Sequence, residues 1–419
     1  MSPNFRLRIL QVMNRYYSYV NTAATILGNY KGEEPFPFFL KKFFSLQKKY
    51  GSRDRKLIAH LCYCYFRLGK SLPGMPVKDR VVLGLFFCSQ TPNEMLAGLQ
   101  PGWNEMAHLG VEEKISYLVN SGSGGELEQD HSLPVFPWKN ALSDGVDADK
   151  WNQSFFIQPD LFLRLRPGKE KMVQDKLHAA NIPFTMVTAT CAALANTSRL
   201  EEVLNLDADA VVQDLNSQHV GDLLATVKEG RNGKLRVWDC CAASGGKSML
   251  VYDMLKPVEL TVSDIRESII ANLKKRLAKA AINYQAAMVA DITRPGFRFP
   301  GGNKTNSSSF DLVVCDAPCT GSGTWSRTPE QLFYFDGDNP ASIDKYAGLQ
   351  QRIITAALPH IRPGGYFLYI TCSVFKKENE DQVEYIKQKG NIERLQSGLL
   401  PGYEKKADTM FTALFKTKE

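Results

Sequence analysis

The sequence predicts an α/β chain in which residues 231–419 form a doubly wound, mostly parallel sheet, preceded by a small α+β domain and an N-terminal helical domain. Three observations carry this. From about Asn232 onward, five short apolar runs alternate with helical stretches, the pattern of a parallel sheet with crossover helices. Residues 151–230 read strand, helix, strand. Finally, 419 residues are too many for one hydrophobic core, so two or three domains are expected.

Residues 1–120 form the helical segment. In Phe38–Phe44 and Leu57–Leu68 the apolar side chains recur at helical spacing (Leu57, Leu61, Tyr65, Leu68), and Pro and Gly fall mostly at breaks. Residues 121–150 read as a linker. They open with Ser121-Gly122-Ser123-Gly124-Gly125 and continue as an acidic, Pro-containing stretch. In the small domain, Leu161–Arg166 is a short strand, Glu170–Ala180 a helix and Phe184–Thr188 a second strand. In the C-terminal domain the strands are Arg236–Cys240, Glu259–Ser263, Ala287–Ala290, Leu312–Cys315 and Tyr366–Thr371, with helices at Glu267–Ala281 and Ser342–Leu358.

Charge is uneven along the chain. Residues 1–80 carry 15 Lys and Arg against 4 Asp and Glu, a balance of +11, whereas residues 81–150 carry 3 against 10, a balance of −7. The basic segment suits a polyanion such as RNA and equally a solvated helix face. No run of about 18 apolar residues exists, so no membrane span is expected. Met1–Leu10 lacks the apolar core of a secretion signal. Nine cysteines, none paired at the two-residue spacing of a zinc knuckle, read as free thiols in a reducing cytoplasm. The six histidines are scattered, and no metal is expected. A monomer is the default.

In a doubly wound sheet, ligands meet the carboxyl ends of the strands. The first run ends in Asp239-Cys240-Cys241-Ala242-Ala243-Ser244-Gly245-Gly246-Lys247-Ser248, where small residues let backbone approach a ligand and a helix start follows. A P-loop would need glycine where Cys241 stands, and the dinucleotide fingerprint is absent. The next runs end in Asp264, Asp291 and Asp316, with Asp264 lying 25 residues after Asp239. One such Asp reads as a helix cap or turn residue. Four together favour a nucleoside-bearing ligand without phosphates, a description that fits S-adenosylmethionine.

Two cysteines, Cys319 after strand four and Cys372 after strand five, fall at the same sheet edge. Either alone reads as an inert buried thiol. As a pair beside Asp316-Ala317-Pro318 they suit covalent catalysis at cytosine. A thiolate adding to carbon 6 makes carbon 5 nucleophilic, an acid protonates N3, and a base later removes the carbon 5 proton.

At this point the residues resemble a family, the RNA cytosine-5 methyltransferases of the Sun/Nop (Fmu) type, bacterial ribosomal-RNA members in particular. The resemblance is carried by the glycine loop Asp239–Ser248, by Asp316-Ala317-Pro318-Cys319-Thr320-Gly321-Ser322-Gly323-Thr324 and by Thr371-Cys372-Ser373 followed by Glu378-Asn379-Glu380. Gln350-Gln351, Pro363-Gly364-Gly365 and Asp408-Thr409-Met410-Phe411 add to it. Val212-Gln213-Asp214, with Ser217-Gln218, resembles the segment before the family's catalytic domain, and Gly51–Arg67 its helical N-terminal region. Ser244 stands where the family usually has proline, and Ser326 where a basic residue is common.

The resemblance implies a Rossmann-like class I methyltransferase domain preceded by an RNA-recognition-like domain. It implies Cys372 as nucleophile, Cys319 in release of the product, Asp316 against the cytosine edge and Lys247 orienting it. For S-adenosylmethionine it implies Asp264 at the ribose, Asp291 at the adenine and the loop of Cys241, Ala242, Ala243, Ser244, Gly245, Gly246 and Lys247 at the methionine part. Arg266 either helps the cofactor or is an exposed helix-start residue. Arg164 and Arg166 either face a phosphate backbone or are ordinary exposed strand residues. The implied partner is ribosomal RNA, with transfer RNA as the alternative, and the target base must be single-stranded or flipped. The other readings are a methyltransferase with another acceptor, such as a protein or small molecule, and a catalytically weak RNA-binding ribosome-assembly factor.

Overall fold

The computed structural model describes residues 3–122, 127, 133–229, 233–297, 299 and 309–418, with side chains from residue 14 onward. Ser123-Gly124-Gly125 of the expected linker, and the expected boundary at 230 and 231, lie outside the described residues. The chain forms two compact units.

The first unit takes in residues 1–139, 147–158 and 325–336. It is helical, as expected, with long helices at Pro3–Asn29, Ser52–Arg67 and Val77–Cys88. Apolar residues of Ser52–Arg67 at helical spacing, Ile58, Leu61 and Cys62, turn inward and are buried. Lys41, Lys42, Lys48, Lys49, Arg53 and Lys56 remain exposed. Two stretches from beyond residue 139 join this unit. Residues 147–158, which span the end of the expected linker, pack here through the buried Trp151, Phe155 and Phe156. Residues 325–336 pack here too, because their rings find aromatic partners. Phe333 lies 5.5 Å from Phe66, and Tyr334 lies 5.4 Å from Tyr30. Edge-to-face ring pairs of this kind add to simple burial.

The second unit holds both sheets. The smaller has strands β1 (Leu161–Leu165), β2 (Phe184–Thr188), β3 (Cys191–Leu194) and β4 (Ala210–Val212) in the antiparallel order β2-β3-β1-β4. The helix Glu170–Ala179 buries Val173 and Leu177 against it. Arg164 and Arg166 follow neither expectation, since both are buried. Arg164 Nη1 donates to Asp253 Oδ2 at 2.7 Å, and Arg166 Nη2 to Asp253 Oδ1 at 2.7 Å. Burial alone would raise the Asp253 carboxyl, but the two guanidiniums hold it below its ordinary value. These arginines join the small sheet to the helix Gly246–Leu255 and do not face solvent.

The larger sheet has seven strands: β5 (Leu235–Asp239), β6 (Val258–Asp264), β7 (Ala286–Val289), β8 (Phe310–Asp316), β9 (Ile361–Thr371), β10 (Ile392–Leu400) and β11 (Met410–Thr417). Their order is β10-β11-β9-β8-β5-β6-β7. The first five in sequence are parallel, each within a few residues of its expected run, and β11 pairs antiparallel with both β9 and β10. The sequence reading contained neither β10 nor β11. The exposed Glu393, Arg394, Leu395 and Gln396 of β10 break any alternation. β8 is buried along six of its seven residues, which its apolar run anticipates for a strand covered on both faces. Strand order reverses at β5, with β6 on one side and β8 on the other, and that switch point is where this architecture opens a crevice. Among the described residues no helix is long and apolar enough to cross a membrane.

Candidate active site

The carboxyl ends of β5, β6, β7, β8 and β9 surround one cavity of about 460 Å³. Cys241, Ala243, Asp264, Asp291, Asp316, Cys319 and Cys372, all expected at a site, line it together. Ala242, Ser244, Gly245, Gly246 and Lys247, expected there too, are not among its lining residues. The Ala242 N–H donates to the Ser263 carbonyl at 2.9 Å, and the Ser244 carbonyl accepts from Arg276 at 2.7 Å. Ala243 has φ +43° and Gly245 φ +87°. At Gly245 a Cβ would stand 2.2 Å from Leu273 Cδ1, so glycine there answers both a left-handed backbone and a close approach.

Asp239 closes β5 and is buried, with Ser248 Oγ donating to its Oδ2 at 2.5 Å. Burial pushes its carboxyl up to about 7; the Ser248 bond opposes this, and Asp316 and Cys241 reinforce it. The native chain therefore holds a proton there that the unfolded chain has released, in the window between its ordinary 3.8 and about 7. Its contribution to stability falls as pH rises through that window. Asp239→Asn should remove this fall. Urea unfolding at pH 5 and pH 8 should show the variant gaining on the parent at the higher pH, and parallel curves would refute the assignment.

Asp264 closes β6. Its Oδ1 accepts from the Arg266 N–H at 3.0 Å and Nε at 2.9 Å, and its Oδ2 from the Ala243 N–H at 3.1 Å and Arg266 Nη2 at 3.1 Å. Burial would raise this carboxyl, but Arg266 and the backbone donors hold it below its ordinary value. A carboxylate offers about four acceptor positions, and these bonds fill them. Arg266 stands at the N-cap position of the following helix without a side-chain capping bond, and it lines the cavity. Asp291 accepts from Thr293 through its N–H at 3.0 Å and its hydroxyl at 2.6 Å, and these bonds hold it below its ordinary value.

At the other end of the cavity, Lys247 Nζ lies 3.3 Å from Asp316 Oδ2 and donates to Ser217 Oγ at 2.7 Å. Cys319 and Cys372 are half-buried with their sulfurs 3.3 Å apart. The hydrogen bond to Cys372, with burial behind it, holds the Cys319 thiol well above its ordinary value.

Sequence reasoning missed what fixes the two cysteine loops. Glu378 is fully buried. Its Oε1 accepts from the Thr320 N–H at 2.9 Å and from Gln350 at 3.2 Å; its Oε2 accepts from the Thr320 hydroxyl at 2.6 Å and the Ser373 hydroxyl at 2.5 Å. Gly323 sews the same loops through backbone: its N–H donates to the Cys372 carbonyl at 2.8 Å, and its carbonyl accepts from Thr409 at 2.9 Å. A Cβ at Gly323 would lie 1.9 Å from the Thr409 carbonyl oxygen. Gly323→Ala should cost about 1–3 kcal/mol or more through overpacking, read as a lower urea midpoint, and an unchanged midpoint would show that the loops yield. Leu349 and Ile353, one helical turn apart on Ala341–Ala357, form an apolar wall that their spacing could have revealed.

The profile of the 16S rRNA methyltransferase RsmB/F family matches residues 225–408. The ribosomal RNA small subunit methyltransferase B of Yersinia enterocolitica is 30% identical over 380 residues, covering 81% of this chain and 83% of that one. The protein of the same name from Xanthomonas campestris is 32% identical over 267 residues, 60% of this chain and 57% of that one. With the Erwinia tasmaniensis protein the match spans 42% of its length. The chain thus spans about half the length of these last two relatives. Among solved structures, PH0851 is similar over 97% of this chain and 99% of its own, with TM-score 0.62 and 16% identity. A methyltransferase homolog protein from Pyrococcus horikoshii is similar over 66% and 92%, with TM-score 0.51 and 19% identity. The fold of the larger sheet is the Rossmann-like fold of methyltransferases.

Proposed function

This chain belongs to the 16S rRNA methyltransferase RsmB/F family, and from that premise we propose that it methylates carbon 5 of a cytosine in ribosomal RNA, as a monomer in the cytoplasm. The observation that carries the reading is the pair of sulfurs 3.3 Å apart in the cavity that Asp316, Asp264 and Asp291 also line. Methyl transfer to nitrogen or oxygen needs no protein nucleophile, so two cysteines favour carbon 5 over other acceptors.

S-adenosylmethionine, the cofactor of this family and fold, supplies the methyl group as an electrophilic sulfonium. The residues fit it. Asp264 and Asp291 offer carboxylates to a nucleoside, Ile265, Ile292 and Leu349 give an apolar wall, and no phosphate-binding loop is present. Ribose hydroxyls donating to Asp264 would compete with the Arg266 fork, so Arg266 acts as the placeholder for that group. The loop from Cys241 to Lys247 borders the methionine part.

Cys372, its thiol proton given up to solvent, bonds through sulfur to carbon 6 of the cytosine as the C5=C6 pair shifts toward N3, which takes a proton. Asp316, next to the Lys247 ammonium, faces the base edge and stabilises a proton on N3. Lys247, fixed by Ser217, orients Asp316. After carbon 5 is methylated its proton leaves to a base; Cys319 serves once its own thiol proton has passed to solvent, or acts with the group that takes the proton. The bond from carbon 6 to Cys372 then breaks, and the electron pair returns to sulfur.

The test is to supply methyl-labelled S-adenosylmethionine with ribosomal or transfer RNA, digest the RNA and identify the labelled nucleoside. Labelled 5-methylcytidine from ribosomal RNA supports the proposal. The same product from transfer RNA alone moves the substrate, and label in any other nucleoside overturns the carbon 5 reading. No transfer, with RNA retained, favours the assembly-factor reading.

A further inference from the structure

We propose that Cys240, Cys241 and Cys315 form a three-sulfur site for a soft d10 cation, zinc(II) or copper(I), at the floor of the cavity. Their sulfur atoms all lie within 4.8 Å of one another. Zinc holds thiolate at about 2.3 Å, so two thiolates on one ion stand roughly 4 Å apart. Closing this triad on an ion thus takes sub-ångström movement. Three thiols without imidazole select thiophilic metals over hard cations such as magnesium.

The backbone presents the sulfurs from two neighbouring strands. Cys240 and Cys241 follow the last residue of β5, and Cys315 is the penultimate residue of β8. The strands are tied where it matters, since the Cys240 N–H donates to the Val314 carbonyl at 2.9 Å and Ser263 Oγ to the Cys240 carbonyl at 3.1 Å. Cys240 and Cys315 are buried, whereas Cys241 is half-exposed. Cys240 and Cys241 both line the cavity, which gives an ion a way in and a water room as fourth ligand. On binding, each cysteine loses its S–H proton to solvent as its metal–sulfur bond forms, and neither metal changes oxidation state. The ion would clamp β5 to β8 under the cofactor loop. Neither Cys319 nor Cys372 takes part in the site, whereas Cys241 also belongs to the loop assigned to the methionine part, so the metal titrations are run without S-adenosylmethionine.

The test uses the full chain carrying Cys319→Ser and Cys372→Ser, so that the other close thiol pair cannot compete. The protein is stripped of metal and kept reduced with a phosphine. Zinc(II) and copper(I) are titrated separately against a chromophoric chelator of each, with cadmium(II) as a probe for thiolate-to-metal absorption. The expected result is one equivalent bound with thiolate absorption. Adding Cys240→Ala, Cys241→Ala or Cys315→Val should weaken it by on the order of 100-fold or more, beyond the usual effect of an outer-shell change. Which titration outcompetes its chelator names the cation. The half-exposed Cys241 provides a variant that keeps the fold, checked by circular dichroism, should the buried substitutions unfold it. The proposal is overturned if neither metal is held against the chelator, or if a folded Cys241→Ala protein binds as tightly as its parent.

Discussion

Cys319→Ala is expected to accumulate a protein–RNA species that survives denaturing electrophoresis, while Cys372→Ala forms none and transfers no methyl group. The two sulfurs share one cavity 3.3 Å apart, and the Cys372 contact together with burial holds the Cys319 thiol well above its ordinary value. If Cys372 bonds to carbon 6, its removal abolishes the first step, and losses of this kind reach about 10⁴-fold or more for a covalent nucleophile. If Cys319 serves release, its removal leaves the first bond intact and blocks the exit, so the intermediate persists. Sequencing the trapped RNA would also identify the cytosine. Adduct from Cys372→Ala and none from Cys319→Ala would exchange the two roles. Full activity in both variants would remove covalent catalysis altogether.

Glu378→Ala is expected to lower methyl transfer by on the order of 10²-fold, because misplacing a reacting group by about an ångström costs that much. Glu378 touches neither cysteine sulfur. It acts by holding Thr320 and Ser373, each next to one of the cysteines, on a single buried carboxyl. Burial pushes that carboxyl above its ordinary value, and the Ser373, Thr320 and Gln350 donors offset part of the rise. Without it those buried donors lose their acceptor, at about 1–3 kcal/mol for each one left unpaired, so the unfolding midpoint should fall as well. A merely structural role would be restored by extra stability alone. A positioning role predicts that kcat falls while S-adenosylhomocysteine binds as before, and that Glu378→Gln recovers part of kcat. An equal loss of cofactor binding would place Glu378 among general fold contacts.

The parallel core was legible because its strands are buried on both faces and end in turn residues, so local pattern and global position agree. Asp264, Asp291, Asp316, Cys319 and Cys372 could be placed from strand ends alone, since the topology brings strand ends together. What escaped depends on contacts distant in sequence. Glu378 reaches Thr320 across 58 residues, and Arg166 reaches Asp253 across 87, with no periodicity to announce either. The antiparallel pair β10 and β11 was missed because β10 has no clean alternation. Residues 325–336 were expected with the sheet they follow in sequence, and only the ring partners of Phe333 and Tyr334 show otherwise. Chain spacing, which gave no metal motif, likewise has no means of revealing three sulfurs drawn from two strands.

The double guanidinium grip on Asp253 ties the larger sheet to residues that precede it in the chain. A fragment starting at residue 231 would keep the whole seven-stranded sheet and every cavity-lining residue, yet Asp253 would lose both Arg164 and Arg166. A carboxylate left without its countercharges in that setting costs about 3–5 kcal/mol, a large share of what a domain has to spare. The same cut removes Ser217 from Lys247, and Asp214 and Asn216 from their bonds to Asp408. A fragment that keeps these bonds starts upstream of Leu161 and includes the small sheet.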